Sequence, residues 1–486
     1  MDANGRHIEP RTTGSKTMLL LSKDAATFLL IFSLTASAVH AEHWSRFRGP
    51  NGSGVSEDTG FPTEFGPDKN VVWKAAVRPA KSSPVLTARH VFLTGFADEK
   101  LYTQCFDRKT GKLLWEKWVQ RERKPLVNKL NDPAAITPVT DGDNIYVFFQ
   151  DWGLLSYDSS GNLCWKTPLG PFTNSHGLGI SPIVADGLLV IQVDQFADSF
   201  IAAFDLENGE TVWRTNRMES ESWSTPVLYR PTKGAPQVLT VGDRMFGAHQ
   251  LKTGQRTFTE SSMAGAMVAS PILEGDTLYA FGYNFENALP FDDQLAKQDK
   301  DSDGRLGPKE YEGSVWLTGM AKFRGNRDGV LEREEWDAVQ ARYIGPSPLV
   351  AMRLEPGAEG EILRTRELWR HEKGFKFVIP SPLIYDNVLY YVKNGGILSA
   401  IDAKTGKMLK RGRLKDAVDP YSASPIAADG KIYLASETGK ISVLKPGADW
   451  EVIVLNDLGE EIYATPALSD GRIFVRTNQA LYCFGK

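Results

Sequence analysis

At eight places along the chain a serine or threonine directly before a proline opens the same pattern. Two or three apolar residues follow, then a Gly, Asp or Asn turn, then an alternating strand rich in Tyr, Val and Phe. The pairs are Ser83-Pro84, Thr137-Pro138, Ser181-Pro182, Thr225-Pro226, Ser270-Pro271, Ser381-Pro382, Ser424-Pro425 and Thr465-Pro466, with prolines 54, 44, 44, 45, 111, 43 and 41 residues apart. Thr167-Pro168 and Ser347-Pro348 lack the turn and second strand and are not counted. A period of about 40–45 residues is the length of one four-stranded propeller blade. The spacing therefore predicts an all-β chain, an eight-bladed β-propeller of four-stranded antiparallel blades, with an insertion in the blade that spans the long gap. Proline is tolerated where a strand begins because its missing N–H is not needed there. Asp-Gly and Asn-Gly pairs supply the positive φ of hairpin turns, and the alternation predicts that one face of each strand packs on the next blade.

A second motif marks the turn between third and fourth strands. Cys105-Phe-Asp107-Arg-Lys-Thr110-Gly111-Lys-Leu-Leu-Trp115 is the fullest copy; Ala203 to Trp213 repeats it and Tyr157 to Trp165 is one residue shorter. Weaker copies end at Phe258 and Lys410. The aspartate suits a turn as a hydrogen-bond acceptor, glycine takes the positive φ, and the indole fills the gap between adjacent blades. This pattern resembles the PQQ-binding-like propeller repeat, AxDxxTGxxxW, of a family that includes the quinoprotein alcohol dehydrogenases and the outer-membrane assembly factor BamB and forms seven- or eight-bladed propellers. The resemblance spans residues 44–486 apart from the insertion, and the opening Trp44 to Val55 looks like the N-terminal segment of secreted bacterial members. The last unit stops after its third strand, and Asn70 to Val77 supplies a strand ahead of the first unit. Pairing Val71–Ala76 beside Leu481–Phe484 would close the ring and remove its exposed edges.

The insertion, 289–344 in the fifth blade, carries metal chemistry. Asp299, Asp301, Asp303, Gly304, Leu306 and Glu310 occupy the first, third, fifth, sixth, eighth and twelfth positions of an EF-hand loop, an order of hard oxygens that encircles Ca²⁺, with the Arg305 carbonyl at the seventh position and Glu310 bidentate. A partner loop, Arg324 to Glu335, fits at its third, fifth, sixth, eighth and twelfth positions but begins with a cation. One calcium ion is expected, with Arg324 disabling the second loop. Asp292–Gln298 and Glu334–Arg342 read as flanking helices.

Ala25 to Leu34 is an apolar run of ten residues preceded by Lys16 and Lys23 and followed by Val39 and Ala41. This is the pattern of a secretory signal peptide cleaved after Ala41, too short to span a bilayer, with Met1 or Met18 as the start. The expected organisation is a signal peptide (1–41), an N-terminal segment (42–69) and the propeller (70–486), periplasmic or secreted, with no transmembrane span in the mature chain.

A net charge of −4 without basic runs argues against nucleic acid. Three cysteines, Cys105, Cys164 and Cys483, give neither a disulfide framework nor a zinc site, and Cys105 and Cys483 fall at equivalent third-strand positions, where small apolar groups are wanted. The resemblance implies a vicinal disulfide against the cofactor in quinoprotein dehydrogenases; no Cys-Cys pair occurs here, which argues against PQQ. No set of catalytic residues stands out by spacing, and none of His43, His90, His176, His249 and His371 forms a recognisable cluster. The loops feeding the inner strands hold Lys81, His176, Trp223, Met267, Phe377, Tyr421 and Tyr463, a mixture of aromatic and polar groups suited to a binding face. The leading reading is a non-catalytic propeller that binds an envelope protein or a polymer such as a polysaccharide and holds one calcium ion. The alternatives are a quinoprotein-type oxidoreductase without the disulfide and a calcium-responsive regulatory module.

Overall fold

The computed structural model describes residues 44–124, 128, 130–372, 374 and 378–486. The expected signal peptide and cleavage site lie outside the described residues, as does Phe377. Eight four-stranded antiparallel sheets form among them. Blade 1 is typical: Val85–Leu86, His90–Ala97, Lys100–Asp107 and Leu113–Gln120 follow one another outward. Blade 8 takes Ala467–Ser469, Arg472–Arg476 and Ala480–Phe484 from one end of the chain and Val71–Ala76 from the other, with Trp73 opposite Cys483 and Ala76 opposite Ala480. This is the closure the strand count predicts.

Alternation is confined to the outermost strands. In blade 3 every residue of Leu188–Val193 is buried, whereas only Trp213 is buried in Thr211–Asn216. Inner strands are covered on both faces by neighbouring blades, so they read as continuous apolar runs; the single packed face expected for every strand holds only at the rim.

Each conserved letter of the repeat has a mechanical task. The Asp107 carboxylate accepts from the Thr110 N–H at 2.8 Å and its hydroxyl at 2.6 Å, and Asp402 repeats this with Thr405 at 2.7 Å for both. The glycine that follows lets the previous blade's tryptophan lie flat on the turn. Trp73 covers Gly111, Trp115 Gly161, Trp165 Gly209, Trp213 Gly254 and Trp369 Gly406; a Cβ at any of them would sit 2.2 to 2.8 Å from ring carbon. The indole N–H donates across the same joint, to the carbonyls of Arg108, Ser159, Leu206, Leu251 and Ala403 at 2.8 to 3.0 Å.

The eight Ser/Thr residues before proline form a closed belt. Each backbone N–H donates to the hydroxyl oxygen of the next blade's residue: Ser83 to Thr137, Thr137 to Ser181, Ser181 to Thr225, Thr225 to Ser270, Ser270 to Ser381, Ser381 to Ser424, Ser424 to Thr465, and Thr465 back to Ser83, at 2.9 to 3.3 Å. A hydroxyl is required because the donor is a buried N–H with no sheet partner.

The innermost strands have their own unpaired edge along the axis, and the N-terminal segment fills it. Leu86 and Thr140 donate backbone N–H groups to the carbonyls of Trp44 and Ser45 at 2.8 and 2.9 Å. Arg46 donates to the Pro226 carbonyl at 2.8 Å, Arg48 to that of Pro382 at 2.5 Å, and Asn51 pairs with both backbone groups of Leu228 at 2.8 and 2.9 Å. Ala427 bonds to the Gly54 carbonyl and accepts from Ser56. One segment thus answers edge groups from blades 1, 2, 4, 6 and 7.

Candidate functional site

Four of the residues expected from the loops meet as two separate pairs. Lys81 lies 4.9 Å above the Tyr463 ring, half-buried, and burial lowers its pKa. His176 meets Trp223 edge-on with ring centroids 5.3 Å apart, its Nδ1 2.9 Å from the Ser175 hydroxyl, and burial lowers its pKa too. The Trp223 N–H donates to the Gly177 carbonyl at 2.9 Å. Two members of the set turn inward instead. Met267 is fully buried in an apolar cluster with Met263 and Phe246, and Tyr421 is buried with its hydroxyl donating to the Ala417 carbonyl at 2.9 Å. Both bury their apolar bodies among strand residues of adjoining blades, where burial removes them from water.

A buried charged network behind the blade 3–4 sector has no signature in the sequence. Arg217 donates to both Asp194 oxygens at 2.6 and 3.2 Å and to the Thr240 hydroxyl at 2.7 Å; Gln192 and Ser222 donate to the same carboxylate at 2.7 and 2.5 Å. His249, buried beside Arg217 and Arg256, has its pKa pushed down to about 3, first by burial and then by the two cations, so it stays neutral. Glu221 is buried in the loop entering blade 4, where an N–H from Ser175 donates to it. Burial pushes its pKa up to about 7. Only the assembled fold brings these residues together.

The fifth blade carries three helices between its second and third strands: α1 (Phe291–Gln298), α2 (Val315–Phe323) and α3 (Arg333–Tyr343). They close over a small core of their own containing Phe291, Leu306, Leu317, Met320, Leu331 and Trp336. In the loop after α1, carboxylate oxygens of Asp299, Asp301 and Asp303 lie within 4.8 Å of one another. Glu310 folds back on the same loop, accepting from the N–H groups of Lys300 at 2.7 Å and Gly307 at 2.8 Å. Leu306 and Leu331, at the eighth positions of the two loops, exchange backbone hydrogen bonds of 3.0 and 2.9 Å. A hard cation is the species such converging oxygens suit.

Arg324, at the first position of the second loop, points to the propeller and donates to the Ser220 hydroxyl. Arg342 donates to buried Asp243 at 2.5 Å, and Phe323 stacks on Phe196 with centroids 6.2 Å apart. The helices therefore lean on loops of blades 3 and 4. An insertion strung between two strands of one blade thus reaches two other blades through its arginines and Phe323.

No described helix is long and apolar enough to cross a membrane. A family model described as outer membrane protein assembly factor BamB matches residues 66–177, 99–319 and 364–484. Among curated proteins, the chain is 23% identical over 260 residues to the BamB of Burkholderia pseudomallei (strain K96243), covering 44% of this chain and 64% of that one. It is 24% identical over 178 residues to the BamB of Salmonella typhimurium (strain LT2), covering 35% and 42%. The matched regions thus span less than two thirds of each relative. The crystal structure of BamB from Moraxella catarrhalis superposes with a TM-score of 0.54 over 86% of this chain and 99% of that one, at 12% identity, a likeness of fold.

Proposed function

Because this chain belongs to the family of outer membrane protein assembly factor BamB, we propose that it works in the periplasm as a non-catalytic propeller that holds a protein partner of the outer-membrane assembly apparatus against its channel mouth. The observation that carries this reading is the mouth itself. Lys81 on Tyr463 and His176 on Trp223 present aromatic and cationic groups around the hydroxyl belt, and residues 44–56 fill the axis behind them. Such a surface suits a partner's side chains more than a small substrate that must be enclosed. The filled axis also favours this reading over a quinoprotein-type oxidoreductase.

Capture from envelope extract by the full chain, followed by identification of what is retained, tests the proposal. Trp223→Ala and Tyr463→Ala should each weaken retention of the same partner about tenfold or more, as truncating interface aromatics does. Equal retention by both variants, or dye reduction with alcohols after PQQ reconstitution, would overturn it.

The reading includes one calcium ion in the 299–310 loop, held by Asp299, Asp301, Asp303, the Arg305 carbonyl and Glu310, with an affinity on the order of 10⁻⁴ M as in extracellular sites. It is supported by the convergent carboxylates and by the backbone bridge between Leu306 and Leu331. Titration calorimetry at millimolar calcium should give one ion per chain, and Glu310→Gln should abolish the heat. No heat, or two ions, would contradict it.

A further inference from the structure

A hollow of about 470 Å³ opens where blade 8 meets blade 1, lined by Ala88, Arg89, His90, Asp107, Arg108, Lys109, Asp470 and Arg472. We propose that this cleft at the ring's closing seam binds a phosphate-bearing ligand. The lining carries four permanent cations and two carboxylates, and both carboxylates are already engaged. Asp107 accepts from Lys109, Thr110 and the Thr110 hydroxyl to hold its own turn. Asp470 pairs with Arg108 at 2.7 Å. Asp58, behind the lining, accepts the Asp470 N–H at 2.8 Å. Among the described residues, Arg89, Lys109 and Arg472 form no ion pair.

The cleft's inner wall is a built one. Arg108 is only 4% exposed and is fixed by bonds to the Thr87 carbonyl at 2.8 Å and to Asp470. A guanidinium has five N–H donors, so three remain without a partner among the described residues. A dianion bearing several acceptor oxygens matches both the surplus charge and these donors, and planar guanidinium groups suit phosphate.

The repeat supplies an internal control. At the residue equivalent to Arg108, the joint needs only the backbone carbonyl that receives the tryptophan N–H. Ser159, Leu206, Leu251 and Ala403 perform that task in blades 2, 3, 4 and 6 without a charged side chain. The Arg108 side chain is therefore a property of this seam and not of the fold. Arg89 likewise takes the second position of the turn between first and second strands, where blades 3, 6, 7 and 8 have the uncharged Gly187, Asn387, Gly430 and Gly471.

The test uses the full chain, first with inorganic phosphate and glycerol 1-phosphate in calorimetric titration, then with vesicles of phosphatidylglycerol and phosphatidylcholine in equal parts. The variant combines Arg89→Ser, Lys109→Ser and Arg472→Ser and leaves the structural Arg108 in place. A control, Lys404→Ser with Lys407→Ser, removes two charges from the blade 6 turn. Soluble phosphate should bind the native chain and the control alike and bind the triple variant at least about tenfold more weakly, with affinity falling as salt rises. Vesicle association lost in the triple variant alone would identify a lipid headgroup as the source; binding of the soluble esters without vesicle association would identify a free phosphate compound. Absent binding of every probe, or equal binding by native chain and triple variant, would overturn the proposal.

Discussion

At the scale of single residues, position in the repeat decides how much a glycine matters. Gly209 has φ +72°, and a Cβ there would sit 2.4 Å from the Trp165 ring; Gly187 has φ +81° with nothing within 4 Å of its Cβ direction. Gly187→Ala should therefore cost about 1 kcal/mol of backbone strain, whereas Gly209→Ala should cost on the order of 2–4 kcal/mol because the indole must also move. Urea unfolding of the two variants checks the ranking, and equal losses would show that the stacked indole is not what fixes the glycine. Arg324 makes a different point. From its loop position alone, Arg324→Asp should complete a second calcium site. In the fold the new carboxylate would face Glu221 and Asp243 across the surface where Arg324 now docks. The expected result is weakened docking and still one ion per chain by calorimetry; a second ion would show that the docking contact is dispensable.

At the scale of elements, the joint between the helical insertion and blades 3 and 4 carries a pH dependence of its own. Glu221 is buried there among Ser175, Arg324, Asp243 and Tyr343, with its pKa raised from 4.5 to about 7. Between those values the folded chain holds a proton that the unfolded chain has released. The Glu221 contribution to stability therefore falls as pH rises from about 4.5 to about 7, with its full penalty, on the order of 3 kcal/mol, present above that; His249, held neutral by burial, contributes in the opposite direction below about 6.5. Glu221→Gln can keep the bond from Ser175 and should stabilise the protein at pH 8 while changing little at pH 4, as read from urea midpoints; the same gain at both pH values would remove Glu221 as the titrating group. The helices flanking the loops were legible because their apolar residues recur at helical spacing: Asp292–Gln298 and Glu334–Arg342 lie within α1 and α3. Their docking was not, since Arg324, Ser220 and Asp243 come from separate units and no local pattern relates them. Trp369 escaped notice for a related reason: the insertion interrupts the unit whose fourth strand it closes.

At the scale of the whole molecule, ring closure was legible because the belt residue recurs in all eight units and the turn with its indole in several, so a missing fourth strand at one end and a spare strand ending near Trp73 at the other define each other. The N-terminal segment was legible only as a resemblance. Its partners Pro226, Leu228, Pro382 and Ala427 are scattered along the chain and offer only backbone groups, which leave no mark in side-chain sequence. The belt leads to a prediction about the seam. If blade 8, the one blade built from both ends of the chain, were held less firmly, the hydroxyl link that joins it to blade 7 should matter differently from the others. Thr465 accepts from Ser424 in blade 8, where the chain ends meet, and Thr225 accepts from Ser181 far from the seam; both are buried, and both links measure 3.0 Å. Valine has nearly threonine's shape and keeps the backbone N–H that each residue donates onward, so either substitution removes one acceptor and strands one buried N–H. Each should cost about 1–3 kcal/mol. Because Val71–Ala76 pairs along Ala480–Phe484 and Trp73 docks on Gly111, blade 8 is paired and anchored as the continuous blades are, and Thr465→Val and Thr225→Val should agree within about 0.5 kcal/mol and add in the double variant. A much larger loss at Thr465, with a second unfolding transition appearing, would mean that the two ends of the chain are held less firmly than the blades between them.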